Sequence, residues 1–207
     1  MNRRSVYRYM AAALMMIVPA PGRFAVGILL AIELNLLMLT GTYFRSAVSR
    51  LRLGYISDAL VILFLVCATM FYRQLLVIII PEAALQLGFI LYLPAVSSYC
   101  LEGIFSVKSA QLSERLPACL HDSLRYSLGM LLFFLFRDIA GYGTISYPTT
   151  LGIDELVLFD ASRVSAFSFF ATIPGTLIVL AGAVIAVLFV LNKRDIVRRA
   201  EQEALHD

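Results

Sequence analysis

Histidine is scarce in this chain: only His121 and His206 occur among 207 residues. That argues against a histidine-ligated metal or haem centre. Cysteine is also sparse, with Cys67, Cys100 and Cys119 only. The count is odd, the spacing fits no metal finger, and all three lie in or beside apolar segments, so no disulfide framework is implied. Charge is the third shortage. Charged residues make up 15% of the chain, against about 25% in a typical soluble domain, while 60% of residues are hydrophobic. A chain of this length cannot hide so much apolar surface in one globular core, so lipid is its natural solvent. The net charge of +3 is small, and the basic residues fall in short clusters between apolar runs. Nothing here points to nucleic acid as a partner.

What is present is a series of six apolar stretches. The first, Val6–Val18, is ended by Pro19 and Pro21 and covers only ~20 Å as a helix, short of the hydrocarbon core. Its basic start, Met1–Arg8, and the small-residue site at Val18-Pro19-Ala20 resemble a secretory signal. Pro21 beyond the site counts against cleavage, so the segment is read as a retained first helix. The second, Phe24–Phe44, and the third, Ile56–Ile80, are full length. The fourth, Ala83–Phe105, contains Pro94, which removes a backbone donor and predicts two half-helices. The fifth is Leu120–Phe136. The sixth, Val164–Leu191, is long enough to span with tilt, and Pro174 predicts a kink near its outer end.

The loops orient the chain. Arg3, Arg4, Arg8, Arg45, Arg50, Arg52, Lys108, Arg115, Lys193, Arg194, Arg198 and Arg199 fall on one side of a six-helix arrangement. Only Arg23, Arg137 and Arg163 fall on the other. The positive-inside rule then places both termini in the cytoplasm, with the chain in the cytoplasmic (inner) membrane of the cell. The expected fold is an all-α membrane protein of six transmembrane helices, in two inverted three-helix repeats. Residues 1–207 form one domain: repeat 1 covers about 6–80, repeat 2 about 83–192, and a cytoplasmic tail 193–207. Short or broken helices open both halves, at Ala11–Pro21 and Leu91–Gly103, and such a pair points to an intramembrane site. The alternative is that helices 1 and 4 are irregular packing helices.

Glu33 stands mid-way along the second stretch with Asn35 nearby. An acid at this depth is costly, which suggests an ion or proton pathway or a buried partner such as Arg73. Arg125 is one helical turn from Asp122, a spacing that predicts a local pair. Glu102 suits a water-filled cleft or a polar helix interface. Asp154, Glu155 and Asp160 read as a solvated acidic loop. Gly141 and Gly143 mark a compact structural stop after the fifth helix, and the turn is not a phosphate loop.

Three stretches together resemble the membrane subunits of the Rnf/Nqr family. Leu91-Tyr92-Leu93-Pro94-Ala95-Val96-Ser97-Ser98-Tyr99-Cys100-Leu101-Glu102-Gly103 is similar to that family's Pro-Leu-Ile-(Thr/Val)-Thr-Asn-Cys-x-x-Gly segment. Arg137-Asp138-Ile139-Ala140-Gly141-Tyr142-Gly143-Thr144 is similar to its Arg-Glu-x-x-Gly-x-Gly-Thr turn. Ala25–Thr40 followed by Ser46–Leu53 resembles its second helix and basic loop. With both termini inside, the chain looks more like the RnfE/NqrD type than the RnfA/NqrE type.

The resemblance implies a subunit of an ion-translocating electron-transfer complex, docked on an inverted homologous partner in the bilayer and without catalytic activity alone. It implies an iron–sulfur cluster shared between the two, each chain giving one cysteine from each half. Cys100 matches the second-half ligand. The first-half cysteine is missing: Ala13, Leu14, Met15 and Met16 stand where it is expected. Tyr99 and Asp138 replace the family's asparagine and glutamate. Cys67 and Cys119 read as inert buried thiols, although Cys67 could approach Cys100 in a folded bundle. Two other readings stand beside the redox subunit. One is a degenerate scaffold without a cluster. The other is a small inverted-repeat transporter using Glu33 and Glu102.

Overall fold

A computed structural model describes residues 12–51, 55–105, 112–150, 152–159 and 168–204. It is predominantly helical. The described part of α1 is residues 12–17, followed by turns at Val18 and Pro19. Then come α2 (Phe24–Ser49), α3 (Tyr55–Ile79), α4 (Pro81–Leu87), a 3-10 turn (Gly88–Tyr92), α5 (Leu93–Phe105) and α6 (Leu112–Tyr142). A β-hairpin of β1 (Thr144–Thr149) and β2 (Gly152–Val157) follows, then a 3-10 turn (Ser168–Ala171) and α7 (Ile173–Ala204).

Among the described residues four segments are long and apolar enough to cross a membrane: Phe24–Ser49, Ile56–Ile79, Pro81–Leu101 and Ile173–Val190. Their packing is compatible with a lipid solvent. On α3, Val61, Leu65, Thr69, Tyr72 and Leu76 form one buried stripe at helical spacing, while Leu63, Phe71 and Ile78 on the other faces are exposed. Exposed apolar surface on this scale marks a membrane or partner surface. The fifth stretch lies within α6, which has 31 residues. That is ample length, but Arg115, His121, Asp122, Arg125 and Arg137 make it more polar than the other four.

The hub is α2. It packs most extensively on α6, and also on α3, α5 and β1. Glycines set the closest approaches. A Cβ on Gly27 would stand 2.7 Å from the Phe134 ring of α6, so only hydrogen lets the two helices meet there. Phe44 of α2 stacks on Phe64 of α3 with ring centroids 4.1 Å apart. The main core joins residues from α1 to α6, including Met16, Leu30, Leu34, Leu87, Leu91, Leu101 and Phe134.

The structure corrects several sequence expectations. The fold is not purely α-helical: the segment after α6 contains an antiparallel hairpin pairing Thr144 with Val157 through Thr149 with Gly152. Gly143, at φ +67°, turns the chain out of α6 into β1, and its carbonyl accepts the N–H groups of Leu158 and Phe159. The fourth stretch breaks at Gly88 (φ +46°) rather than at Pro94. Pro94 falls in the first turn of α5, where a missing N–H costs nothing. Pro174 likewise opens α7 instead of kinking it. Glu155 is more than a solvated acid, because it pairs with Arg23 at 2.5 Å. Asp154 is exposed, and Asp160 and Arg163 lie outside the described residues.

Candidate functional site

Two adjacent residues at the end of α6 organise one end of the bundle. Arg137 and Asp138 are both buried, 1% and 0% exposed. The first amides of a helix lack intrahelical partners, and α2 has no capping side chain at its own N-cap, Arg23. The partners come from the other end of the sequence. Phe24 N–H donates to Asp138 Oδ2 at 3.0 Å, and Ala25 N–H donates to Ser146 Oγ at 3.0 Å. Ser146 in turn donates to Asp138 Oδ2 from its amide (2.7 Å) and its hydroxyl (2.6 Å). Thr144 Oγ1 donates to Asp138 Oδ1 at 3.1 Å. A carboxylate with four donors at a helix N-terminus is also favoured by the helix dipole.

Arg137 does the converse for carbonyls. Its Nη1 donates to Ile17 O (3.1 Å) and Ala20 O (3.0 Å) at the end of α1, and its Nη2 to Ala171 O (3.0 Å) ahead of α7. Burial lowers its pKa from the ordinary value, while Tyr142 acts the other way. An arginine starts so high that it keeps its charge. Gly141 packs so tightly on Ala171 that a Cβ would fall 2.6 Å from the alanine's own. The Arg-Asp-x-x-Gly-x-Gly-Thr turn is therefore a structural clamp joining α1, α2, the hairpin and the start of α7.

Further into the bundle, polar groups line both sides of α2. Toward α6, Asn35 Nδ2 donates to Ser127 Oγ at 2.7 Å and Ser123 Oγ donates to Asn35 Oδ1 at 2.7 Å. Sequence reading missed these serines. Their spacing of four residues, one turn apart on an apolar helix, was the available signal. Toward α3, Glu33 is wholly buried beside Thr69 and Tyr72. The Thr69 hydroxyl lies next to the carboxyl without closing a well-formed hydrogen bond, and both carboxyl oxygens are without one. Tyr72 donates to Leu29 O at 2.9 Å.

The expected Glu33–Arg73 pair is not formed: Arg73 is exposed, and neither Glu33 carboxyl oxygen has a hydrogen-bond partner. Nor does Arg125, also exposed, pair with Asp122, whose near neighbour is His121 at 3.6 Å.

The two interrupted segments do meet. Ser97 of α5, fully buried, donates to Ala12 O of α1 at 3.1 Å. Cys100, one turn further along α5, is half-buried with a free thiol. Cys67 is exposed on α3, while Cys119 is buried against the Thr42 hydroxyl at 3.2 Å. The side chain of Glu102 lies outside the described residues. Met16 is packed in the core, and Met15 is exposed. Among the described residues no three His, Cys, Asp or Glu side chains group to hold a metal. Cys100 lies inside α5, past the Gly88 break, and a lone thiol does not by itself fit the four-thiolate set of an iron–sulfur cluster.

No family model, no characterised protein and no solved structure matches this chain.

Proposed function

We propose that this chain is a membrane subunit of an Rnf/Nqr-like ion-translocating electron-transfer complex. In this reading it sits in the cytoplasmic membrane with both termini inside, docked against an inverted homologous subunit. The observation that supports it best is the contact between the two interrupted segments, Ser97 to Ala12 at 3.1 Å. Paired broken helices that meet within a bundle are how inverted-repeat membrane proteins build a central site. The motif residues add to this: Arg137, Asp138, Gly141 and Gly143 lie together in one clamp. Any cluster would be completed by thiols of the partner, with Cys100 as this chain's contribution. The single thiol also favours a second reading, a scaffold subunit in the same complex.

The test is to purify the native complex anaerobically and measure iron, acid-labile sulfide and the electron paramagnetic resonance spectrum, for wild type and Cys100→Ala. Co-purification with flavin- or iron–sulfur-bearing subunits, and loss of one cluster signal in the variant, is the expected result. Co-purification with an unchanged spectrum leaves the scaffold role. Isolation without redox subunits overturns the proposal.

A further inference from the structure

Among the described residues, Glu33 is the one buried carboxyl or guanidinium group that neither the clamp nor the broken-helix contact uses. It stands within the membrane-spanning part of α2, at 0% exposure, with both oxygens short of a formed hydrogen bond. An ionised carboxylate does not remain there without a cation, since loss of water disfavours the charged form and the group neutralises instead.

Among the described residues the surroundings supply no cation paired with it, and Arg73 of α3 is exposed. From α3 come Thr69 and Tyr72, and the tyrosine proton is committed to Leu29 O. Between Leu93 and Leu101, α5 carries only Tyr99 and Cys100 as titratable residues, both half-buried. Among the described buried residues of α6, the titratable ones are Cys119, Arg137 and Asp138. Tyr126 is partly buried, and His121, Asp122 and Arg125 are exposed or half-exposed. Arg137 is held by Ile17, Ala20 and Ala171.

We propose that Glu33 is a proton-binding site within the membrane, a carboxyl group that takes up and releases a proton beside Thr69 and Tyr72 at the α2–α3 interface. A divalent cation is a poor fit, because it requires about six oxygen ligands, and among the described residues no group of His, Cys, Asp or Glu is arranged to hold a metal here. A proton requires one. A packing role is a poor fit as well. A buried acid with unformed hydrogen bonds contributes less to stability than an amide or an apolar side chain of similar volume. Intramembrane acids of this kind mark proton and ion paths. The inference does not rest on the electron-transfer reading and stands if that fails.

The experiment uses the full-length protein in lipid nanodiscs. Infrared difference spectra are recorded in H2O and D2O across a pH series, for wild type and Glu33→Gln. The expected result is a protonated-carboxyl band at neutral pH that shifts in D2O, disappears at alkaline pH and is missing from the variant. The thermal midpoint of Glu33→Gln should equal or exceed that of wild type. A second measurement needs no variant: an apolar carbodiimide should label Glu33 at neutral pH, as read by peptide mass, and a water-soluble carbodiimide should not. No Glu33-dependent band, or a band that neither exchanges nor responds to pH, overturns the proposal. So does absence of label from the apolar reagent.

Discussion

The carboxylate of Asp138 accepts the backbone N–H of Phe24 at 3.0 Å, across 114 residues of sequence. A residue at the end of α6 thus caps the start of α2, and the helix with the most buried residues depends on its second-half neighbour for its first turn. Asp138→Ala removes the acceptor for four donors at once and should cost about 3 kcal/mol, since bonds to charged groups contribute more than neutral ones. Asp138→Asn keeps one oxygen, which can take the three donors now on Oδ2. Its cost should be about 1 kcal/mol. Thermal unfolding in detergent or nanodiscs gives the order. Equal midpoints for wild type and the alanine variant would show that the cap carries no weight.

Arg137 should not be replaceable by lysine. Its two terminal nitrogens reach three carbonyls in two segments, Ile17 and Ala20 at the end of α1 and Ala171 ahead of α7, and a single ammonium cannot occupy both positions. Arg137→Lys should lose about 2 kcal/mol. Amide hydrogen exchange should rise in residues 17–22 and around Ala171, with little change in α3. If exchange in those two segments stays at the wild-type level, the clamp does not hold α1 in place.

The contact of Gly27 with Phe134 predicts a size threshold. Gly27→Ala drives a methyl into the ring, and overpacking of this kind costs about 1–3 kcal/mol. Gly27→Ala with Phe134→Leu should recover part of the loss. Gly182 of α7 is the internal control: a Cβ there meets nothing within 4 Å, so Gly182→Ala should leave the thermal midpoint unchanged or slightly raised. A neutral Gly27→Ala would mean that α2 and α6 are not in close contact there.

How much of this could be read in advance depends on the range of each interaction. The apolar runs of α2, α3 and α7 are local and strong, so their existence follows from composition, although α7 begins at Ile173 and not at the expected Val164. The end of the first segment was visible from Pro19 and Pro21. Where a break depends on one backbone conformation, sequence misled: Pro94 is the louder signal, yet Gly88 carries the positive φ, because proline is harmless in a first helical turn. The hairpin was hidden because Thr144–Val157 is short, carries Pro148 and is only partly apolar. Arg137 and Asp138 were singled out as a motif, but their partners Ile17, Ala20 and Phe24 are about 115 residues away. Such pairings are set by tertiary packing and have no local periodicity. The misplaced Glu33–Arg73 pair has the same origin, since opposite charges at similar depth need not share a face.

The hairpin offers a direct test of orientation. Thr150 is exposed at its tip, on the side reached by the end of α6. Ser49 is exposed at the far end of α2, beside the cluster Arg45, Arg50 and Arg52. If basic loops stay in the cytoplasm, these two positions lie on opposite sides of the membrane. In a background with Cys67, Cys100 and Cys119 changed to serine, Thr150→Cys should react with an impermeant maleimide in intact cells, and Ser49→Cys only after permeabilisation. The reverse pattern would invert the orientation and place the Arg137–Asp138 clamp toward the cytoplasm. Labelling of both from outside would mean that α2 and α6 do not deliver these two positions to opposite faces, and the spanning assignment of one of them would fall.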